Sequence, residues 1–448
     1  MLYFFTYYSL TTYKRVDILR DVTIHDIHNF IDLKGELIMV LKRKISVALL
    51  STSLSAALLF APAAVLPYSV AHAETAAPTQ EVVKKLPNIK ILATGGTIAS
   101  SAASNTEVTN YQVTQGIDLL LNAVPEMKQI ANVSGEQIAN VGSSNINNEI
   151  LLKVAKRINT LLASDDVDGI VVTHGTDTLE ETAYFLNLVV KSEKPVVIVG
   201  AMRPSSAMSA DGPFNLYNAV QLAGTPEAKG KGVLIQLNDR IGAARYITKT
   251  NTTATDTFKS PEQGYLGTIA GNRVYFYNEP ARKHTTQTVF NIDNLDSLPQ
   301  VDILYEYQNN GRIFYDAAVQ AGAKGIVVAG SGNGTLSALS KAGAADAAQI
   351  PTNMDKNQYK YLRKLVEAGG GAGSWAKKQL EKVTFKQGVV IVRSTRTGSG
   401  TVTPNPGEND KGFVSSDSLN PQKARILLML ALTKTNDAKE IQSFFNEY

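Results

Sequence analysis

The chain contains no cysteine, and this absence removes several kinds of chemistry at once. It excludes disulfides, a cysteine nucleophile, zinc sites built on thiolates and a lipid anchor attached through an acylated cysteine. Histidine is scarce, because five residues are spread over 448 and only His174 and His284 lie beyond residue 73. This disfavours a histidine-based metal site, and no His-Glu-x-x-His motif occurs. We therefore expect no metal.

Motifs of common cofactor and hydrolase classes are missing as well. Without a Gly-x-Ser-x-Gly elbow, a serine hydrolase of the α/β-hydrolase kind is disfavoured, and no lysine of a phosphate-binding loop follows a glycine turn. The run Gly330–Gly334 follows a strand but lacks the third spaced glycine of a dinucleotide fingerprint. Subtracting the seven basic and five acidic residues of 1–73 from 44 and 40 leaves a net charge of +2. We expect no nucleic-acid partner.

Residues 1–73 are predicted to be an upstream extension followed by a signal peptide. A basic stretch at residues 42–44 precedes an apolar region at 45–60, and a cleavage site ending at Ala73 leaves Glu74 as the first mature residue. A membrane anchor is the alternative, which Pro62 and the hydroxyl residues of the apolar region disfavour. Met39 is a better start than Met1 for such a signal. The expected location is the periplasm or the exterior of the cell, with no membrane contact after cleavage.

Beyond residue 73, short apolar runs alternate with helical patterns. The predicted strands are 89–93, 169–172, 195–200, 233–237, 301–305, 325–329 and 389–392. The predicted helices are 150–161, 179–190, 214–223, 312–321, 336–348 and 421–432. Continuous apolar strands between helices indicate parallel sheets covered on both faces. We predict an α/β chain of two domains. A larger N-terminal parallel-sheet domain spans 86–280, and a linker, 281–300, leads to a smaller C-terminal α/β domain, 301–448.

Two of the predicted strands run straight into turns of glycine and threonine. The first passes through Gly95-Gly96 to Thr97, and the second passes through Gly175 to Thr176 and Asp177. Ligands of open α/β sheets bind at the carboxyl ends of strands, so both hydroxyls are candidates for a shared site. A threonine hydroxyl needs a base to become a nucleophile, and two such hydroxyls suggest a hydrolase built on threonine.

Lys249, in a run rich in hydroxyl residues, is a candidate helper for such a threonine. A lysine must be desolvated to act as a base near neutral pH, and a solvated surface lysine is the equally weighted alternative. For the other candidates, a purely structural role in a cap or a turn also remains open. Asp177 and Thr97 are good capping residues for a helix or turn, and Ser143 is a common turn residue.

The two threonine motifs resemble the paired signatures of the type II, exported bacterial L-asparaginases. The resemblance extends over residues 86–448, and further matching stretches are 194–218, 249–253, 280–284, 330–334 and 419–425. It implies a two-domain fold and a tetramer made of two intimate dimers with shared active sites. It also implies hydrolysis of L-asparagine to L-aspartate and ammonia, without a cofactor.

The resemblance also implies roles for individual residues. Thr97 corresponds to the nucleophile, Tyr111 to a tyrosine on a flexible lid, and Thr176 and Lys249 to the second threonine with its lysine. Ser143 and Asp177 correspond to the groups that bind the α-carboxylate and α-ammonium of the substrate. Asn333 and Glu408 correspond to C-terminal-domain residues that the neighbouring subunit supplies, with Glu408 orienting Tyr111. The stretch Ser100–Asn110, too polar and small to pack, is predicted to be the lid.

Two other functions remain open at this point. A glutaminase-asparaginase differs by a pocket that accepts one more methylene, and an exported amino-acid-binding protein shares the signal peptide and the two domains. The C-terminal domain also carries about thirty residues more than the family pattern, within about 341–386. From 353 to 386 this insertion holds eight basic and three acidic residues and the single tryptophan, Trp375. We expect a solvated helical hairpin on the surface, in preference to a binding site for acidic surfaces.

Overall fold

The computed structural model of the protein describes residues 85–409 and 411–448. The predicted extension and signal peptide, residues 1–73, lie outside the described residues, so the cleavage site and the preferred start stay predictions. The described residues lie within one compact unit. Within that unit the strands form two main sheets, a large one before residue 280 and a smaller one after residue 300.

The first part of the unit contains twelve strands and four α-helices among the described residues. Its strands are β1 Asn88–Gly95, β2 Ser100–Ser101, β3 Gln112–Val113, β4 Asn132–Val141, β5 Gly169–Thr173, β6 Val196–Val199, β7 Val233–Leu237, β8 Arg240–Ala243, β9 Thr248–Lys249, β10 Phe258–Lys259, β11 Gly267–Ala270 and β12 Arg273–Phe276. Its helices are α1 Ile117–Ala123, α2 Asn148–Leu162, α3 Leu179–Val189 and α4 Gly212–Ala223.

The second part continues the same alternation with shorter elements. Its strands are β13 Val301–Tyr305, β14 Gly325–Gly330, β15 Gln349–Pro351, β16 Phe385–Gln387, β17 Val390–Thr395 and β18 Phe413–Ser415. Its helices are α5 Ile313–Gln320, α6 Ala338–Ala348, α7 Lys356–Ala368, α8 Gly370–Leu380, α9 Pro406–Asn409, α10 Pro421–Ala431 and α11 Ala438–Glu447.

Eight strands form the larger sheet in the order β12-β11-β8-β7-β6-β5-β1-β4. The five strands from β7 to β4 are parallel, as predicted, and every residue of β5 is buried. The other three strands are antiparallel, which the sequence interpretation missed. Asn238-Asp239 and Gly271-Asn272 have positive φ angles between 53° and 59° and join these strands as tight hairpins. Such pairs are the sequence signal of a two-residue hairpin turn.

The smaller sheet is wholly parallel, in the order β13-β14-β17-β18. It shares one apolar core with the larger sheet, because Val327 and Leu427 of the second part pack in the same buried cluster as Val172 and Leu186 of the first. The segment 281–300, predicted to be a linker, contributes to that core through Phe290 and Ile292, which are both about 1% exposed. The α/β class with a larger and a smaller domain is confirmed. The domain boundaries stay predictions.

An excursion leaves the second part between β15 and β16, which pair with each other as an antiparallel stem. Helices α7 and α8 form the helical hairpin beyond this stem. The predicted beginning of the insertion, residue 341, falls inside α6, where Ala344 and Ala348 are fully buried. The structure therefore places the excursion itself at 349–387, because α6 belongs to the packed domain.

Candidate active site

The two threonine turns lie side by side at one edge of the large sheet. Strands β1 and β5 are parallel neighbours with Ala93 opposite Thr173, so the turns that follow them end at the same height. A Cβ atom on Gly96 would lie 2.2 Å from the Cα of Gly175, so the two turns contact each other backbone to backbone. Gly96 also has a φ of 85°, which favours glycine. Thr97 and Thr176, just beyond these glycines, are about 5% and 4% exposed.

Tyr111 contacts the first threonine. Its hydroxyl lies 2.9 Å from the Oγ1 of Thr97, a distance at which either group can donate. Tyr111 precedes β3, which pairs with β2, so the segment between them is the tip of a short hairpin. The prediction that residues 100–110 are too polar to pack is wrong for Ser100. This residue is fully buried and donates its hydroxyl hydrogen to the carbonyl of Gly96 at 2.8 Å.

Lys249 contacts the second threonine. Its ammonium donates to the Oγ1 of Thr176 at 3.0 Å and to the Oδ1 of Asp177 at 2.7 Å. Only 16% of the lysine side chain is exposed, against 71% for the aspartate. The open alternative of a solvated surface lysine is therefore wrong. The carboxylate of Asp177 pairs with the lysine, while α3 has Thr178 as its N-cap residue and no side-chain capping bond.

Ser143 lies below the second turn and connects it to a third segment. Its Oγ accepts the backbone N–H of Asp177 at 3.2 Å, and its carbonyl accepts the hydroxyl of Thr178 at 2.8 Å. Ser143 begins a short 3-10 turn, Ser143–Asn145, directly after β4. Since β4 pairs with β1, this serine, like Thr97 and Thr176, comes from the carboxyl edge of the parallel strands.

A cavity of about 710 Å³ opens above these residues. It is lined by Asn105, Thr106, Val108, Thr109, Asn110, Tyr111, Thr176, Asp177, Met202, Arg203, Met208, Ser209, Lys249, Thr252 and Thr253. The predicted lid segment thus forms one wall, and Thr176, Asp177 and Lys249 form the floor, while Thr97 and Ser143 are not among the lining residues. The sequence interpretation assigned no role to Arg203 or Met208, although both lie in the matching stretch 194–218. Asp211 holds that loop, because its carboxylate accepts the backbone N–H groups of Met202 and Arg203 at 2.9 Å.

His174 is buried behind the two turns and does not line the cavity. Its Nδ1 lies 2.7 Å from the carbonyl oxygen of Gly175, which can only accept, so Nδ1 carries the proton. Its Nε2 then accepts the hydroxyl of Thr182 at 2.9 Å. Burial lowers the pKa of His174 to about 4, so the ring is neutral at pH 7. The histidine holds the second turn in place and has no part in the cavity.

Asn333 and Glu408 do not line this cavity in their own chain. Asn333 is exposed, and its side-chain amide exchanges two hydrogen bonds with Thr403, at 2.8 and 2.9 Å. Glu408 is 8% exposed and forms ion pairs with Arg393, at 2.7 Å, and with Lys341. The structure brings together the other six predicted site residues: Thr97, Tyr111, Ser143, Thr176, Asp177 and Lys249.

Comparison with known proteins gives one consistent family. The family model described as "Asparaginase, N-terminal" matches residues 88–282, and the one described as "Glutaminase/Asparaginase C-terminal domain" matches residues 360–445. L-asparaginase 2 of Bacillus subtilis (strain 168) is 63% identical over 366 residues, which cover 82% of this chain and 88% of the relative. A probable periplasmic L-asparaginase of Haemophilus influenzae is 47% identical over 365 residues, which cover 81% of this chain and 93% of the relative.

A solved structure agrees with these relatives. The crystal structure of a probable cytoplasmic L-asparaginase from Campylobacter jejuni is 46% identical, with a TM-score of 0.70, and the match covers 81% of this chain and all of that one. The family models, the fold and the sequence motifs therefore all indicate an asparaginase. The chain belongs to the asparaginase family, and the resemblance drawn from its threonine motifs is confirmed.

Proposed function

We propose that the protein hydrolyses L-asparagine to L-aspartate and ammonia, with Thr97 as the nucleophile. One observation carries the proposal. Two buried threonine hydroxyls lie at one sheet edge, and each is hydrogen-bonded to a titratable side chain, Tyr111 for Thr97 and Lys249 for Thr176. A hydroxyl becomes an effective nucleophile only with such a partner. A protein that merely bound an amino acid would not need two such pairs.

The proposed reaction has two halves. The Oγ1 of Thr97 bonds to the side-chain amide carbon, and its proton passes through Tyr111 to the leaving nitrogen, which departs as ammonia. A water molecule held by Thr176 and Lys249 then adds to the resulting ester, and the C–O bond to Thr97 breaks to release aspartate. In this proposal the backbone N–H of Thr97 stabilises the oxyanion. One such donor typically contributes about 2.7–4 kcal/mol to lowering the barrier.

Substrate recognition is assigned to the exposed end of the same turn. The carboxylate of Asp177 borders the cavity and suits the α-ammonium of the amino acid, while the hydroxyl of Ser143 suits its α-carboxylate. The pairing of Lys249 with Asp177 supports this division of roles, because one lysine keeps the binding carboxylate beside the catalytic threonine.

Activity on L-glutamine is the second candidate function. One methylene in a pocket changes binding by only about 1–3 kcal/mol, and the cavity of about 710 Å³ leaves room for it. The decisive assay measures ammonia released from asparagine and from glutamine, with Thr97→Ala protein as the blank. Ammonia from neither substrate would favour the binding-protein alternative, and a higher kcat/KM on glutamine would reverse the order of the two substrates.

We also propose that the protein assembles as a tetramer of two intimate dimers with shared active sites. Large apolar side chains are exposed on and beside the edge strand β13: Ile303, Tyr305, Tyr307, Ile313 and Phe314. An exposed apolar group of this kind is typical of a surface that another protein chain covers. Light scattering on the eluting protein should give four times the mass of one chain, and a monomer at working concentration would contradict the assembly.

The proposed location is outside the cytoplasm, by way of the signal peptide within residues 1–73. No helix within 85–409 or 411–448 is long and apolar enough to cross a membrane. The names of the relatives differ on this point, because the Haemophilus influenzae protein is called periplasmic and the Campylobacter jejuni protein cytoplasmic. N-terminal sequencing of the exported protein should begin at Glu74. Any peptide from residues 1–38 would contradict the start at Met39.

A further inference from the structure

The backbone around Lys249 has less secondary structure to hold it in place than the backbone before the two threonines. Thr97 and Thr176 follow strands that lie inside the eight-stranded sheet. Lys249 ends β9, which has two residues and pairs only with the two residues of β10. A two-stranded ribbon of this length is not stable by itself in water. The position of the lysine ammonium therefore depends on what holds β9 from outside.

The beginning of α10, in the smaller domain, supplies that support. Lys423 lies in the first turn of this helix and is 2% exposed. Its ammonium donates to the backbone carbonyl of Arg245 at 3.0 Å and to that of Ile247. These carbonyls lie four and two residues before Lys249. Burial lowers the pKa of Lys423 to about 8, and the charge is nevertheless retained at neutral pH.

The same helix end also contacts the segment that follows Thr176. Asn420 caps α10 by accepting the backbone N–H of Lys423 at 3.0 Å. Its amide nitrogen lies 3.4 Å from the hydroxyl of Thr248 and 3.3 Å from the carboxylate of Glu180. Thr248 directly precedes Lys249, and Glu180 lies four residues after Thr176. One side chain thus reaches both segments that meet in the bond between Lys249 and Thr176.

Glu180, in the segment that follows Thr176, also contacts the beginning of α10. Its carboxylate is buried, accepts the amide of Gln422 and lies 3.9 Å from the ammonium of Lys423. A buried lysine is costly unless it is paired and hydrogen-bonded, and a methionine would fill the same space without that cost. Packing alone therefore gives no reason for a charge here, whereas fixing two carbonyls just before Lys249 does.

We infer that Lys423 is a positioning residue for the reaction, which holds the ammonium of Lys249 against the hydroxyl of Thr176 from the smaller domain. The inference rests on the proposed catalytic role of Lys249. If it is correct, the enzyme turns over substrate only when the beginning of α10 is packed against the larger domain. Substrate binding depends on this packing less than turnover does. The carboxylate of Asp177 pairs with Lys249, but its backbone N–H is bonded to Ser143 and is held by the turn itself.

The test compares Lys423→Met with a matched variant, Lys191→Met. Lys191 also uses its ammonium on main-chain carbonyls, of Thr285 at 3.3 Å and Thr288 at 2.8 Å, but it lies away from the cavity. We expect Lys423→Met to lower kcat about tenfold or more, because displacement of a positioned group by 1 Å can cost about 100-fold. KM should rise by a smaller factor, since Lys249 also pairs with Asp177. Lys191→Met should lower the melting temperature and leave kcat unchanged.

A double-mutant cycle separates positioning from general damage to the fold. In a Lys249→Met background, adding Lys423→Met should leave the residual rate unchanged, because residues that act through one group are not additive. If Lys423→Met does not fold, Thr248→Val takes its place, since it removes a contact to Asn420 and keeps the buried lysine. We expect a smaller loss of kcat from this variant.

The outcomes distinguish the inference from the function beneath it. If Lys249→Met keeps wild-type turnover, the proposed role of Lys249 fails and the inference fails with it. If Lys249→Met is inactive while Lys423→Met behaves like Lys191→Met, only the positioning role is overturned. A rise in KM with an unchanged kcat in Lys423→Met would also overturn it.

Discussion

The edge of the large sheet and the glycine loop of the smaller domain differ in how their polar groups are used. At the sheet edge, the hydroxyls of Thr97 and Thr176 bond to Tyr111 and Lys249, and Tyr111, Thr176 and Lys249 line a cavity. In the smaller domain, Asn333 bonds to Thr403, and Glu408 pairs with Arg393 and Lys341. The polar groups of the sheet edge border a cavity that can hold a ligand, whereas those of the smaller domain bond to residues around them.

This difference indicates that the candidate site has two parts, one at the edge of the large sheet and one in the smaller domain. The register of β1 against β5 is enough to bring two threonines together, so one chain builds that half of the site by itself. No comparable register relates the glycine loop to the cavity of the same chain. Asn333 and Glu408 do not line that cavity, and the family resemblance implies that a second copy presents them to the substrate.

The largest effect should come from removing either threonine hydroxyl. Thr97→Ala and Thr176→Val should each lower kcat to below about 3% of wild type, because each deletes a group that acts in the chemical step. Steady-state ammonia release gives the rate. Thr225→Val, which removes a hydroxyl bonded to the carbonyl of Gln221 away from the cavity, should leave kcat unchanged. Substantial turnover in either threonine variant would remove its assigned role.

Complementation between inactive chains tests the other side of the comparison. Thr97→Ala and Asn333→Ala proteins should each be nearly inactive alone. After unfolding and refolding together, a mixed dimer has one site with both defects and one with neither. Random pairing should therefore restore about a quarter of wild-type activity. A mixture of Thr97→Ala with Thr176→Val is the control and should stay inactive, since every site then carries a defect. Mixed assemblies that stay inactive would place the whole site within one chain.

Asp177→Asn should weaken substrate binding at the sheet edge. A hydrogen bond to a charged group contributes about 1.5–3 kcal/mol, which corresponds to a loss of about 10- to 150-fold in kcat/KM. Most of the loss should appear in KM. The matched control is Glu279→Gln, which breaks another exposed lysine–carboxylate pair, with Lys231, away from the cavity. An unchanged kcat/KM would exclude Asp177 from the ammonium site.

His174 should make the sheet edge sensitive to acid. Its pKa in the folded protein is about 4, below the ordinary value near 6.5. Between those two pH values the unfolded chain binds a proton that the folded chain does not, so the free energy of unfolding falls as the pH falls. The total should be roughly 3 kcal/mol, complete near pH 4. Urea unfolding of wild type and His174→Asn at pH 7 and pH 4 isolates this contribution. Equal losses in both proteins would contradict it.

The smallest effect should come from removing the helical hairpin of the smaller domain. Replacing residues 352–384 by a short glycine-serine linker keeps the pairing strands β15 and β16. Turnover of asparagine should stay within a few-fold, because no residue of the hairpin lines the cavity. Gel filtration checks that the assembly is retained. A folded protein of normal mass without turnover would show that this excursion serves the active site.

The sequence was sufficient wherever the structure depends on local pattern. The predicted strand 233–237 agrees with β7 residue for residue, and the helix predicted at 421–432 is α10 to within one residue. Both are strongly apolar runs whose period fits one kind of element. The antiparallel strands β8, β11 and β12 were missed because they are short and mixed in polarity. The sequence signal for these strands lay in the hairpin turns Asn238-Asp239 and Gly271-Asn272 that join them.

The candidate site divides in the same way. Its threonines could be found from sequence because each follows a buried strand and a glycine turn, and chain order then fixes the edge where they appear. The role of Lys249 could not be decided, because a solvated lysine and a buried one look alike in a sequence. Its pairing with Thr176 spans 73 positions of the chain and depends on how the segments around it pack.

Composition and local periodicity do not depend on tertiary contacts. The α/β class, the threonines at the strand ends and the absence of thiol chemistry could therefore be inferred from the residues alone. Three facts emerged only from the packed fold. Lys249 contacts Thr176, Asn333 and Glu408 do not line the cavity of their own chain, and Lys423 of the smaller domain bonds to the segment before Lys249. Each of these facts joins residues far apart in the chain. Such pairs are set by the packing of both sheets around one shared core.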